Sequence, residues 1–253
     1  MKLERMFDIT VKTQVPLRIG GPDDPLAGGK KVVGRVGDRL VIPGSTLKGA
    51  YRAALEIFLI DQYYDADAGK WAAGDEAKQP CVPAAKPSPD ERRLIESGRY
   101  KHQTCAYTEN KYSQAICPCC YLLGAMGIQG FVRVPFLYAD ATANQLYTAS
   151  LDRATGTVRG GTNFAYELVP EGVAFAGRLS VTIRNTVLGW DLGRPREYAG
   201  NRTQDAWLRD RLLDPDEVVR EWVVARLKSI TLIGGYKSKG FGDVSLEVRE
   251  VTQ

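Results

Sequence analysis

Apolar residues at every second position open the chain. Phe7, Ile9 and Val11 alternate with polar neighbours between Met6 and Leu17, the period of a half-buried strand. Ile19 to Lys31 (IGGPDDPLAGGKK) then breaks all periodicity, and its two Gly-Gly pairs and Asp-Asp-Pro make it a long loop. The spacing next becomes helical: Leu47, Tyr51, Ala54, Leu55, Phe58 and Leu59 share one face. With Ser45 or Thr46 of Pro43-Gly44-Ser45-Thr46 as cap, this predicts a helix over about 46–62. From Tyr63 to about Gly130 the pattern dissolves into small polar, proline-rich and cysteine-rich stretches, as in an insertion held by something other than a core, such as a metal. Phe131–Tyr138 (FVRVPFLY) reads as a strand, and Asp140 to Pro170, with Gly156, Gly160 and Gly161 between β-like runs, as a projecting hairpin.

The clearest alternation runs from Val173 to Val187. Val173, Phe175, Leu179, Val181, Ile183 and Val187 lie on one face, and Arg178, Ser180, Thr182 and Arg184 on the other. A second helix starts at Asp214-Pro215-Asp216-Glu217, with a cap, a proline at the first position and a glutamate at the third. It continues through Val218, Val219, Trp222, Val223 and Leu227 to Ile230, with Arg226 and Lys228 near its negative pole. A last strand follows at about 243–251. The order strand, helix, insertion, strand, hairpin, strand, helix, strand predicts an α+β domain of ferredoxin-like or RRM-like type with large additions.

Composition adds limits to this outline. A chain of 253 residues with 44% hydrophobic and 25% charged positions needs no disulfides to build a core and is not disordered. No run approaches ~18 apolar residues, and the start (MKLERMFDIT) has no apolar signal core, so the expectation is a cytoplasmic protein with no membrane partner. The net charge is +4, mildly basic, so any polyanion must be met by local clustering. The single histidine, His102, closes the chain to mechanisms that need two.

Four of the five cysteines lie within sixteen residues. His102-x2-Cys105 and Cys117-x2-Cys120 offer four soft ligands in two close pairs, the donor set of structural zinc. Cys119 sits where it can replace either neighbour. A zinc deaminase is excluded, because it needs His-x-Glu and the chain reads His102-Gln103-Thr104. Two further segments suit phosphates. In IPGSTLKGAYRAALE, Gly44 and Gly49 allow close backbone approach, while Lys48 and Arg52, one helical turn apart, flank a helix start rich in free N–H groups. In Gly234–Gly242 (GGYKSKGFG), four glycines, two lysines and two aromatics match a phosphate track with stacking surfaces, in neither the Walker nor the dinucleotide order. The hairpin adds Arg153 and Arg159 beside Phe164 and Tyr166.

In this order the segments resemble the RAMP superfamily of CRISPR-associated proteins, and most of all the backbone subunit that repeats along the guide RNA in type III effector complexes. PLRIGG with IPGSTLKGAYR, CPCCYLLGAMG, FLYADA with LDRATG and ELVPEGVAF, and IGGYKSKGFGDV carry the likeness over residues 17–244. The resemblance implies a single RAMP-type domain, 1–253. Its modified ferredoxin-like palm would comprise 1–62 and 173–253 with 131–138, its zinc-bound insertion 63–130, and its β-hairpin thumb 140–170. It implies that Ser45, Thr46, Lys48 and Arg52 contact guide phosphates with Lys237, Ser238 and Lys239 on the same track, and that Arg153 and Arg159 of the thumb touch the guide–target duplex. The implied partners are the guide RNA, a complementary target nucleic acid, further copies of the chain in a filament and other effector subunits. Members that cut target RNA carry an aspartate after a second glycine pair in the first loop; here Gly28-Gly29 precedes Lys30-Lys31. A lysine cannot hold the Mg²⁺ that such cutting uses, which suits a binding-only backbone, as in type IV complexes. Two alternatives stand beside it: metal-dependent target cleavage through Asp23 or Asp24 of the same loop, and a RAMP-type endoribonuclease that processes precursor guide RNA.

Overall fold

A computed structural model describes residues 2–20, 32–84, 86–102, 104–106, 116–149, 152–158, 164–198, 202–203, 205–209 and 211–252. In chain order its main elements are β1 (Lys2–Thr13), β2 (Arg35–Val36), β3 (Arg39–Ile42), α1 (Gly44–Tyr63), α2 (Pro89–Glu96), α3 (Pro118–Leu123), β4 (Leu137–Ala139), β5 (Asn144–Thr148), β6 (Phe164–Leu168), β7 (Ala174–Asn185), a second long helix α4 over residues 215–228, and β8 (Val244–Glu250). The spatial order β8-β1-β7-β4-β3-β2 is antiparallel throughout. With α1 between β1 and β4 and α4 between β7 and β8, this is the strand–helix–strand–strand–helix–strand plan of a ferredoxin-like palm.

Alternation decides which face of the sheet is covered. Phe7 pairs with Leu179, and Val11 with both Phe175 and Leu246, so apolar side chains from three strands share one face. That face meets Leu47, Tyr51, Leu55 and Leu59 of α1 and Val219, Trp222, Val223 and Leu227 of α4, all buried. Tyr51, fully buried, donates from its hydroxyl to the Trp222 carbonyl at 2.9 Å and so locks the two helices together. Trp222 lies in a stretch of α4, Val218–Val224, that is wound as a π-helix. A buried tyrosine hydroxyl needs such a partner.

Several expectations shift in detail. β1 begins four residues earlier than its alternation suggests and ends at Thr13, because Pro16 cannot donate to a ladder. Pro135 likewise splits the expected strand at 131–138 into Val132–Arg133 and β4. Val187 is not a core residue: it sits at the tip of the turn after β7 and is 86% exposed. The insertion has a core after all. Its Trp71, Ile116, Leu122 and Ile128 are continuous with the palm core. It also holds α2, whose capping box joins Ser88 and Glu91, a signal legible in Ser-x-x-Glu. The hairpin β5–β6 forms as expected, pairing Asn144 to Thr148 with Leu168 to Phe164. Among the described residues no helix is long and apolar enough to cross a membrane.

The start of α1 also differs. Gly44 is its first residue, Pro43 occupies the cap position, and neither Ser45 nor Thr46 caps it. Gly44 is required because a Cβ there would meet the carbonyl oxygens of Pro135 at 2.9 Å and Val134 at 3.0 Å. The Gly44→Ala variant is expected to lose about 1–3 kcal/mol, since the α1 start must shift away from that backbone. Urea unfolding reads this directly, and an unchanged midpoint would show that the contact relaxes without cost.

Candidate nucleic-acid interface and metal centre

At the end of the sheet where β1 leaves and β8 enters, a cleft of about 420 Å³ opens beside the first two turns of α1. Ser45, Thr46 and Gly49 form one wall; Arg18, Gly234 and Lys237 form the other. The α1 wall presents the positive end of a 20-residue helix, with no capping side chain and no acid in its first turn. Such an end favours an anion by its free N–H groups and its dipole.

The opposite wall is held by a backbone zipper. Gly235 N–H donates to the Arg18 carbonyl at 2.8 Å and Gly242 N–H to the Pro16 carbonyl at 3.1 Å. Gly234, at φ +90°, lies so close that a Cβ would meet the Arg18 carbonyl oxygen at 2.5 Å. Tyr236 follows at φ 58°, the only positive-φ residue other than glycine among those described. A short 3₁₀ turn, Lys237–Lys239, ends at left-handed Gly240. The Lys239 and Gly240 N–H groups close this turn on the Tyr236 and Lys237 carbonyls, and left-handed Tyr236 followed by right-handed backbone is the pairing found in anion-binding concavities. Tyr236 is held between the Tyr166 ring of β6, 5.8 Å away, and the Lys239 ammonium, 4.7 Å from its centroid. The root of the β5–β6 hairpin and the glycine-rich loop therefore touch.

The cleft gathers Ser45, Thr46 and Lys237 from segments far apart in sequence, with Lys48, Ser238 and Lys239 exposed on the adjoining surface. Arg18 is a residue that motif reasoning passes over. It is 7% exposed, and its Nη1 donates to the carbonyls of Ile19 at 3.0 Å and Val32 at 2.8 Å, which fixes the guanidinium in the cleft wall. Arg153 lies apart, exposed in a turn closed by Asp152, whose Oδ1 accepts from the Ala154 and Thr155 N–H groups. On β5 of the hairpin, Tyr147 is 71% exposed. Asp23, Asp24 and Arg159 lie outside the described residues.

Arg52 departs from its expected place on the phosphate track. Its side chain is turned inward, where Nη2 donates to the Cys81 carbonyl at 2.5 Å and lies 3.4 Å from the Cys81 Sγ. Nη1 lies 3.5 Å from the Cys120 Sγ, and Nε pairs with Glu56 at 2.7 Å. Burial works against the Arg52 charge, but the sulfurs of Cys119 and Cys120 and the Glu56 carboxylate more than offset it, so its pKa is raised. Burial in turn pushes the Glu56 carboxyl up to about 7, against the pull of Arg52 and of the Tyr100 hydroxyl, which donates to it at 3.2 Å.

The sulfurs that Arg52 approaches form a quartet of Cys81, Cys105, Cys117 and Cys120, all buried and all within 4.8 Å of one another. His102 is exposed and is not part of it; Cys81 supplies the fourth ligand position. Cys117 occupies the position before α3 and Cys120 is its third residue, which brings both sulfurs into the quartet, while Cys119, also buried, is not one of the four. Cys105 accepts from the Cys117 N–H at 3.3 Å. A Zn–S bond near 2.3 Å in a tetrahedron separates sulfurs by about 3.8 Å. Here Cys81 lies 3.5 Å from Cys120 and 3.9 Å from Cys117. A divalent ion on four thiolates leaves a double negative charge, and two cations flank it: Arg52, and Lys101, whose pKa burial lowers but Cys105 and Cys117 raise further. Spacing, donor softness and charge all fit a metal such as zinc.

A search among curated proteins returns no match. A family model described as the RAMP superfamily matches residues 10–245. That span holds the palm strands from β1 into β8, the cysteine quartet and both walls of the cleft, and the chain accordingly belongs to the RAMP superfamily of CRISPR-associated RNA-binding proteins.

Proposed function

We propose that this protein is a guide-RNA-binding backbone subunit of a CRISPR effector complex, copies of which line up along one guide and hold it open for target pairing. The observation that carries the reading is the cleft itself. An uncapped helix start, a nest-forming glycine loop, Arg18 and Lys237 converge there, and each suits a phosphate while none reads a base edge. Sequence specificity would then reside in guide pairing. Head-to-tail contacts between the hairpin of one copy and the palm of the next form an open assembly whose length the RNA sets. On this reading the chain divides into palm, zinc-bound insertion and thumb, with zinc structural because four protein ligands close the site. Lys30 and Lys31 in the first loop favour binding without target cleavage.

The test is a binding series with labelled single-stranded RNAs of different sequence. Wild type is expected to bind them alike. Lys237→Ala combined with Ser45→Ala is expected to weaken all of them by roughly 5- to 30-fold, as for a loss of about 1–2 kcal/mol. The slope of log affinity against log salt should fall by about 0.7 for each phosphate that is no longer neutralised. Equal affinity in the double variant would place the guide elsewhere. A matched target RNA should stay intact with and without Mg²⁺; regular cuts abolished by Asp23→Ala/Asp24→Ala would instead make this a slicing subunit.

A further inference from the structure

We infer that Arg52 is a positioning residue that couples metal occupancy of the cysteine quartet to phosphate binding in the cleft, an inference that rests on the RNA reading above. Ser45, Gly49, Arg52 and Glu56 follow one another at helical spacing along a single stripe of α1. The upper half of that stripe, Ser45 and Gly49, is cleft wall. The lower half, Arg52 and Glu56, is 11% and 13% exposed and faces the insertion. One helix therefore carries both the phosphate-facing groups and the groups that meet the sulfur cluster, less than two turns apart.

The acceptors of Arg52 come from both ends of the quartet: the carbonyl and Sγ of Cys81, and the Sγ of Cys120. Cys81 lies in a stretch with no long helix or strand of its own, between a short 3₁₀ turn and α2, whereas Cys120 belongs to α3. A metal bound by both joins those segments into one rigid acceptor set, and the planar guanidinium engages it from α1. Without the metal, the Cys81 segment keeps its backbone bridge to Lys101, but the bond that joins it to the Cys120 sulfur of α3 is lost, and the acceptors of Arg52 are no longer one rigid set. A buried guanidinium with scattered acceptors is costly, so this flank of α1 relaxes. The other cleft wall does not follow, because the loop bearing Lys237 is zipped to residues 16–18 rather than to the insertion. The two walls then lose the spacing that lets them grip phosphates together. Metal occupancy and RNA binding are linked in this way, and the linkage is reciprocal.

The test uses the full chain and a labelled single-stranded RNA of mixed sequence, with zinc content and circular dichroism recorded for every sample. Removing zinc from wild type is expected to weaken RNA binding at least 5-fold, about the lower bound of a coupling between sites. Arg52→Gln should retain its zinc, bind RNA as weakly as the zinc-free wild type, and respond no further to zinc removal. Its salt slope should match that of wild type. Arg52→Lys should fall between the two, because a compact ammonium keeps the charge and three donors but lacks the planar fork that spans Cys81 and Cys120. If the zinc-free chain unfolds, the zinc-loaded Arg52→Gln arm decides; if that variant does not fold, zinc-loaded Arg52→Lys decides by its intermediate affinity loss at unchanged slope. Wild-type affinity in a zinc-loaded Arg52 variant overturns the coupling. So does a slope lowered by about 0.7, which would make Arg52 a direct phosphate ligand. Lys237→Ala serves as the control for the cleft: if it binds RNA as wild type does, the cleft reading fails, whatever Arg52 does.

Discussion

Purified Cys81→Ser is expected to contain little or no zinc, whereas His102→Ala keeps about one equivalent per chain. The two residues compete for the same assignment. By spacing, His102-x2-Cys105 mirrors Cys117-x2-Cys120, so pair logic selects the histidine. In three dimensions His102 is exposed, while the Cys81 sulfur lies 3.5 Å from Cys120 and 3.9 Å from Cys117 inside the core. Serine at position 81 offers a hard hydroxyl that holds zinc poorly. Because structural zinc contributes its binding energy to folding, the Cys81→Ser chain should also lose ~3 kcal/mol or more of stability and become insensitive to chelators. Metal analysis and urea unfolding, with and without chelator, read both effects. Zinc retained by Cys81→Ser, or lost by His102→Ala, would return the fourth ligand to the histidine.

A comparable loss should follow Asp205→Asn, outside the cleft lining. Arg196 and Asp205 are 1% and 0% exposed and form a two-pronged ion pair: Nε donates to Oδ2 at 2.9 Å and Nη2 to Oδ1 at 3.1 Å. The Arg196 backbone N–H donates to Oδ2 as well, at 3.0 Å, and Nη1 reaches the Gln129 carbonyl at 2.6 Å. The guanidinium also lies within 5.3 Å of the ring centroids of Tyr121, Phe131 and Trp190. Removing the carboxylate charge strands a cation where water cannot reach it, which costs about 3–5 kcal/mol. Replacing both partners with apolar residues, Arg196→Met with Asp205→Ala, should recover part of that loss, since no buried charge remains. Urea unfolding at neutral pH separates the cases, and a single-variant loss below about 1 kcal/mol would mean that solvent reaches the pair after all. The pair stands close to the cysteine quartet: Trp207, two residues beyond Asp205, donates from its indole to the Ile116 carbonyl at 3.1 Å, beside Cys117.

The palm was legible because its strands and helices each announce a period. Phe7-x-Ile9-x-Val11 and the run from Phe175 to Val181 alternate cleanly, and Leu47, Tyr51, Leu55 and Leu59 mark one side of α1. The cleft beside α1 was half legible. Glycines beside lysines and a helix start are local signals, and they led to Ser45, Thr46 and Lys237. Arg18 carried no such signal, since its role depends on a carbonyl of its own segment accepting from Gly235, more than two hundred residues later. Arg52 misled for a related reason. One turn below Lys48 it reads as part of a basic helix face, yet the insertion packs against that turn and supplies a carbonyl and sulfurs that the guanidinium meets.

By itself, then, the sequence determined the period of each palm element, the family and the types of residue able to hold phosphate or a soft metal. Those properties are local, set by side-chain spacing along a strand or a helix turn. The tertiary structure alone decided that Cys81 completes the quartet, that Arg52 serves the sulfurs, and that Arg18 faces Ser45 across a cleft. Such choices depend on which buried donors and acceptors meet when distant segments pack. The cost of leaving any of them unpaired selects the partner, whatever its distance along the chain.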